Sequence, residues 1–556
     1  MLRIKIVAIT SLALIQSAFA VDLPSAGGQM QQIPPLPVPQ KNSLEFEVEK
    51  NSMQAVPAAD GATILVKSLH VTGQILYTEE ELIATTGFTP DRAMTLSELR
   101  GMAMKIADYY HRNGYFVAQA YLPMQDIKDG VVTIAVIEGR YGVVTLRNQT
   151  KLVSGVPNGV LMGLNSGDPI AIVPLEHRLL LLSDLPGVSI KSTLIPGNSV
   201  GVSDLIVDVE PGQAVTGSIE ADNEGNRYTG ANRAGATVNL NDLSGHGDVL
   251  SFRTLDSFSG GLYYGRVTYQ MPAGKMQIGA SYSLLQYRLG NEFERLNAHG
   301  TATIASVFGS YPLIRSRNTN LNFMLNLDAR TFQDDLDMTS TFVNKRATVL
   351  TASLYGNHLD NVGGGGLSSY AWTVTAGNLD IRSPLTLTED QAMAQTNGHY
   401  AKFGFNFSRL QTLTDTISLY GVINAQLATK NLDVSEKMEL GGAYAVRAYP
   451  EGEAYGDQGY VLNVELRKRL RWFSEHMPGQ IQLVGFVDTG TVRLNHHPWI
   501  SELNSRTLSG AGVGLTWETV NNFSMKVYWA HKLGNTVATS APDSKSRFWI
   551  QAVKFF

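Results

Sequence analysis

The sequence predicts a mainly β protein: a 16-stranded transmembrane antiparallel β-barrel preceded by two small α+β domains. Three observations carry that prediction. Residues 1–211 hold 10 aromatic residues, whereas residues 212–556 hold 38, including all 6 tryptophans. After Pro211 apolar residues recur at every second position, down to the final Phe555-Phe556. Before Pro211 the order β-α-α-β-β occurs twice, and a repeat is stronger evidence than either copy alone. The mean hydropathy of −0.05 is thus an average over unlike parts, not the mark of a soluble chain.

Composition removes several function classes. The chain has no cysteine, which excludes disulfides, thiolate metal sites and thiol nucleophiles. Its formal charge is −5, with 15 Lys+Arg against 20 Asp+Glu up to residue 211 and 29 of each beyond. A nucleic-acid binder carries a basic excess, so no nucleic-acid partner is expected.

Residues 1–20 carry Arg3 and Lys5, an apolar run from Ile6 to Ile15, and the small residues Ala18 and Ala20 around Phe19. This is the pattern of a signal peptide, with cleavage expected after Ala20 and export through an inner membrane. Residues 21–61 read as a Pro-rich linker or plug segment, because Pro34-Pro35-Leu36-Pro37-Val38-Pro39 favours extended polyproline II. Leu44 to Val48 alternates with glutamates, a pattern open to either a short strand or a helix when docked.

The first α+β domain is expected over 62–139. A strand is expected over Ile64–Val71, a short helix over Glu79–Thr85 and a longer helix over Thr95–Arg112. In the longer helix, Thr95 and Glu98 have capping-box spacing, and Leu96, Leu99, Met102, Ile106 and Tyr109 recur every three or four residues. Asn113-Gly114 supplies its stop, and strands follow at Tyr115–Leu122 and Val131–Glu138. The second domain, 140–211, repeats the order: a strand at Tyr141–Arg147, helices near Asn158–Gly163 and Ile172–Leu185, and strands at Val188–Leu194 and Ser203–Val209. Free strand edges in such domains can accept an extended peptide. Gly197-Asn198-Ser199-Val200-Gly201 spells a nucleophile elbow, but that motif needs a helix after it and a strand follows here, so the glycines are assigned to a hairpin.

From 212 to 556 the strands are amphipathic. Leu321, Phe323, Leu325 and Leu327 face one way, Asn320, Asn322, Asn326 and Asp328 the other. Segments of about ten residues with that alternation mark a membrane barrel with a lipid-facing exterior and a wet lumen. Closure is obligatory, since an open edge in hydrocarbon leaves backbone groups unpaired. Starts are expected near 215, 232, 246, 261, 277, 300, 319, 346, 368, 398, 415, 456, 480, 507, 521 and 547.

The candidate site lies where the longest gap, 428–455, meets the thirteenth strand. The gap contains Val446-Arg447-Ala448-Tyr449-Pro450; the strand contains Phe486-Val487-Asp488-Thr489-Gly490. With Ile481, Leu483 and Val487 outward, Gln482, Phe486, Asp488 and Gly490 point into the lumen. On the next strand Gly510, Gly512 and Gly514 share one face, leaving space against the wall for a loop folded into the barrel. Arg447 is then expected to reach Asp488, since an arginine–carboxylate pair in a partly desolvated lumen can be bidentate and removing one partner strands the other charge.

Taken together, the two repeated domains, the sixteen strands, the Val446-Arg447-Ala448-Tyr449 loop and the Phe486-x-Asp488-x-Gly490 strand resemble the outer-membrane transporters of two-partner secretion. These are the haemolysin, filamentous-haemagglutinin and contact-dependent-inhibition exporters with POTRA domains, and the resemblance spans about residues 62–556. Ala448 departs from it, standing where the family usually has glycine. The resemblance implies that Arg447 and Asp488 form a loop–barrel lock, framed by Val446, Tyr449, Phe486 and Gly490. It implies that the POTRA-like domains, in the periplasm, capture the amino-terminal secretion domain of a large exported partner, which threads through the lumen and folds outside. Other expected partners are outer-membrane lipid and lipopolysaccharide, and the barrel-assembly machinery during biogenesis. A plug helix, if present, lies within 21–60.

No enzyme, cofactor or metal site is expected. Gly510-Ala511-Gly512-Val513-Gly514 lies inside a strand and lacks the helix a dinucleotide site needs, and His496-His497 sits in a turn without partners at metal spacing. Two alternatives are an insertase of the same superfamily, which usually has more POTRA units, and a passive porin-like channel, which needs none.

Overall fold

The structure is a computed structural model that describes residues 23–37, 46–48, 63–472, 477–501 and 503–556. The signal-peptide segment 1–20 lies outside the described residues. Sixteen antiparallel strands, from Val215–Asp222 to Ser546–Phe555, close into a barrel. Observed starts lie within five residues of those expected, the largest offset being at the eighth strand, Thr341–Asp360. Closure joins the first strand to the last, from Ser218 opposite Phe555 to Asp222 opposite Gln551. The Gly217 amide donates to the carbonyl of the terminal Phe556 at 2.9 Å, and the Phe556 amide returns the bond at 3.1 Å.

Alternation sorts the strand residues by face. Phe323, Leu325 and Leu327 on the seventh strand are 39–44% exposed, as befits side chains that meet lipid, while Asp328 beside them is buried in the lumen. The lumen is filled with paired charges such as Arg233 with Asp222 and Arg330 with Asp328. Charges out of bulk water persist only when paired.

Ahead of the barrel, a three-stranded sheet (Ser68–Thr72, Val131–Ile137, Gln119–Tyr121) carries the helices Glu79–Thr86 and Leu96–Arg112. Both helices begin in complete capping boxes, Thr78 with Glu81 and Thr95 with Glu98. Leu99, Met102, Ile106 and Tyr110 turn into the core. Two details differ from the sequence reading. The single expected strand over Ile64–Val71 is two, Thr63–Val66 and Ser68–Thr72, and the former pairs with an additional strand, Arg92–Thr95. The strand expected from Tyr115 shortens to Gln119–Tyr121, because the Ala118 amide bonds the Tyr115 carbonyl in a turn.

The second unit is a four-stranded sheet in the order Phe46–Val48, Val188–Pro196, Val202–Pro211, Arg140–Asn148, covered by the helices Gly155–Leu161 and Ile172–Ser183. Phe46–Val48 settles the open choice for that segment as a strand, added in parallel to Val188–Pro196. Gly201, at φ 80°, closes the turn that contains Ser199. This unit docks on the near end of the barrel. Arg315 of the sixth strand donates to both carboxylate oxygens of Asp184 at 2.7 and 2.9 Å, Arg317 pairs with Glu176 at 2.6 Å, and the Val153 amide bonds the Gly245 carbonyl.

Candidate functional site

The chain between the eleventh strand, Ile417–Ala428, and the twelfth, Gln458–Arg469, folds back into the barrel as a hairpin. Its arms, Met438–Glu439 and Tyr455–Gly456, pair antiparallel, and the tip is tightened by bonds from the Val446 amide to the Leu440 carbonyl and from the Tyr449 amide to the Val446 carbonyl. Val446, Ala448 and Tyr449 are fully buried, packed with Phe486, Val484, Leu508 and Ala530 on the wall. Burying so much apolar surface at the tip favours the inward position of the loop.

Arg447 sits at the centre of this contact. Its Nε and Nη2 donate to Oδ2 and Oδ1 of Asp488 at 2.9 and 2.7 Å, and its own amide adds a bond to Oδ2 at 3.1 Å. Nη1 donates to Glu465 Oε1 at 2.7 Å. The guanidinium lies over the Phe486 ring, 3.6 Å from its centroid, with Tyr528 edge-on to that ring. Bidentate pairing and stacking use the planar fork of arginine, which lysine lacks. Asp488 is fully buried and takes a further bond from Asn463 Nδ2, while the indole of Trp549 donates to the Arg447 carbonyl at 2.7 Å.

The glycine row makes the space. A methyl built on Gly510 would lie 2.5 Å from the Ala448 Cβ, and one on Gly512 2.4 Å from Phe486. One on Gly514 would meet the Tyr528 ring at 2.2 Å, and one on Gly490 would meet Leu440 at 2.5 Å. Val446, Arg447, Ala448 and Tyr449 therefore meet Phe486, Asp488 and Gly510 in one cluster, with Gly490 against Leu440 of the hairpin; Gly512 and Gly514, expected to leave space for the loop, instead make room for the Phe486 and Tyr528 rings of the wall. Ala448 is not among the residues with a left-handed backbone, so its methyl is a question of space alone, and Gly510 leaves that space.

Several participants were not singled out from the sequence. Glu465 bridges Arg447 and Arg467, the latter at 2.7 Å from its Oε2, so two cations face two carboxylates. The register that sets Glu465 opposite Phe486 and Asn463 opposite Asp488 is the signal that finds them. Glu453, fully buried, accepts from the amides of Thr539 and Ser540 and pairs with Arg506, which ties the hairpin to the 533–545 loop above it.

A short helix, Ala26–Gln31, also lies inside the barrel. Its Ala26 amide donates to Asp334 at 2.7 Å, Gln29 accepts from Thr229 at 2.8 Å, and the Pro34 carbonyl beyond it accepts from Arg253. Ala26 packs among Tyr264, Leu285, Tyr287 and Phe332. Helix and hairpin together occupy the lumen.

The sequence and the fold match known proteins. The profile of the haemolysin secretion/activation protein ShlB/FhaC/HecB matches residues 201–517, and that of the ShlB-type POTRA domain matches 64–139. The heme/hemopexin transporter protein HuxB of Haemophilus influenzae is 27% identical over 476 residues, covering 84% of this chain and 82% of that one. The outer membrane transporter CdiB of Dickeya dadantii is 24% identical over 475 residues, with the same coverage. The solved CdiB of Escherichia coli superposes with a TM-score of 0.68 at 22% identity, covering 90% of this chain and 93% of that one.

Proposed function

The chain belongs to the haemolysin secretion/activation protein family, and on that premise we propose how it works as a two-partner secretion transporter. It is an outer-membrane β-barrel that moves a partner protein to the cell surface, with its POTRA region in the periplasm. The partner is a large exported protein of haemolysin, adhesin or growth-inhibition toxin type, and its amino-terminal secretion domain docks on the periplasmic units. Among the described residues the outer strands are Ser68–Thr72 and Gln119–Tyr121 in the first sheet and Arg140–Asn148 in the second, where Phe46–Val48 covers the other edge; Glu79 already takes the Val71 amide, and residues 140–141 already pair with 167–169. Strand addition supplies backbone hydrogen bonds along such an edge.

In the resting state the Ala26–Gln31 helix and the hairpin close the lumen, and the Arg447–Asp488 pair, with Phe486 and Glu465, holds the hairpin tip on the wall. Release of the helix opens a path for extended chain, and folding of the partner outside gives the movement its direction. The barrel meets outer-membrane lipid and lipopolysaccharide through its apolar exterior, and the barrel-assembly machinery inserts it during biogenesis. The observation that carries this reading is a closed barrel whose lumen is filled by the chain's own separable segments. Its test is export of the large protein encoded beside this gene, in cells with and without the chain. Export only when the chain is present is expected; equal amounts in the medium from both strains overturn the reading.

A further inference from the structure

The hairpin is anchored to the barrel a second time, far from Arg447 and on a different sector of the wall. The anchor is the tight turn Val434–Glu436 with the residue before it, Asp433. Asp433 Oδ2 pairs with Lys345 of the eighth strand at 2.6 Å, while its Oδ1 accepts from the amide and hydroxyl of Ser435 and so caps the turn. Glu436 pairs with Arg330 of the seventh strand at 2.6 Å and with Lys402 of the tenth at 2.9 Å. Both carboxylates are at least nine-tenths buried.

The lumen helix rests on this turn. A methyl on Gly27 would lie 2.7 Å from the Ser435 Cβ, and one on Gly28 3.5 Å from Val434 Cγ2, so the helix backbone approaches as closely as the missing side chains allow. Glycine is poor in helices, and a helix of six residues has little stability of its own. Its position therefore depends on what it is packed against. Arg330 also binds Asp328, so three cations face three carboxylates around the seat. Uncharging Asp433 and Glu436 leaves Lys345 and Lys402 without their acidic partners, which destabilises the seated arrangement.

We propose that Asp433 and Glu436 form a second latch, separate from Arg447–Asp488, that positions the Val434–Glu436 turn as the seat of the Ala26–Gln31 helix. Loosening this latch frees the helix while the hairpin tip stays locked. The inference rests on the reading above for its consequence, that the freed helix opens the lumen, but not for the release itself.

The absence of cysteine makes release measurable in the full chain without background thiols. Gln29→Cys and Thr229→Cys, whose native side chains touch at 2.8 Å, are bridged with the short reagent dibromobimane in outer-membrane vesicles. The same proteins are then recorded in planar bilayers. Adding Asp433→Asn with Glu436→Gln is expected to lower the bridged fraction about tenfold and to raise the open fraction correspondingly, with the heat-modifiable mobility of a folded barrel unchanged. Lys402→Met, which leaves Arg330 on Glu436, is expected to give a smaller change in the same direction and carries the test should the double variant not insert. An unchanged bridged fraction in a folded barrel overturns the latch. A fallen bridged fraction without added conductance upholds the latch and overturns the helix as plug.

Discussion

Replacing Arg447 with alanine removes the guanidinium from two carboxylates that stay in place. Asp488 is fully buried and Glu465 is 5% exposed. Taking one partner from a buried ion pair costs about 3–5 kcal/mol. Asp488 keeps bonds from Asn463 and from the backbone amide at 447, and Glu465 keeps Arg467, so the lower end applies. About 3 kcal/mol is roughly a hundredfold change in the docked fraction of the hairpin tip. The strands do not depend on this contact, so the barrel should still insert and show heat-modifiable mobility. The assay is the amount of exported partner in the medium, normalised to folded barrel. Arg447→Ala and Asp488→Ala are each expected to lower it at least about tenfold, and the double variant should be no worse than either, because contacting residues do not add. Arg447→Lys should fall between, since an ammonium cannot form the bidentate, stacked contact. Full export by both single alanine variants refutes the lock.

Four further outcomes follow from the same geometry. Gly510→Ala drives a methyl against Ala448 and should weaken docking by about 1–3 kcal/mol, reducing export, and Ala448→Gly in the same chain should restore it. Glu138→Ala removes the acceptor of the Ile75 and Leu76 amides and of the buried Tyr110 hydroxyl; an unsatisfied buried donor such as that hydroxyl costs about 1–3 kcal/mol, and hydrogen exchange at Ile75 and Leu76, which lose their acceptor, should quicken while barrel amides stay protected. Asp184→Ala breaks a partly exposed pair worth about 1 kcal/mol or less, so spin-label distances between the second periplasmic unit and the barrel should broaden without loss of export. In the first unit, the Val71 amide and then His70 hold the Glu79 carboxyl below its ordinary value. Stability from a lowered carboxyl is present above its unfolded pKa and is lost as pH falls through the folded one. The protection factor at Val71, that is, exchange relative to its intrinsic acid-slowed rate, should therefore fall below about pH 4.3, and Glu79→Gln should remove that step.

The barrel is legible because each long strand repeats the same two-residue alternation many times, so even the largest offset among the expected starts, at the eighth strand, is five residues. Short elements carry no period. Arg92–Thr95 and Tyr455–Gly456 exist through their partners, Thr63–Val66 and Met438–Glu439. The Ala26–Gln31 helix is nearly silent in sequence, since Ser25 caps it but Gly27 and Gly28 argue against a helix, and the lumen wall and the Val434–Glu436 turn hold it in place. At the candidate site, Arg447, Asp488 and the glycine row could be argued from spacing because they sit in a gap and on one strand face. Glu465 and Asn463 look like any polar lining residue until register sets them opposite Phe486 and Asp488. Asp433 and Glu436 were hidden for the same reason: their partners come from three distant strands.

Passage of the partner through the lumen is tested by halting a partner in transit and asking what it touches. A photo-crosslinking residue is placed at Asn326, on the lumen face, or at Leu325, which is 44% exposed on the outer face. Crosslinks to the halted partner from position 326 and none from position 325 are the predicted result. Export that proceeds with no crosslink at 326, or with crosslinks at 325 alone, contradicts the account.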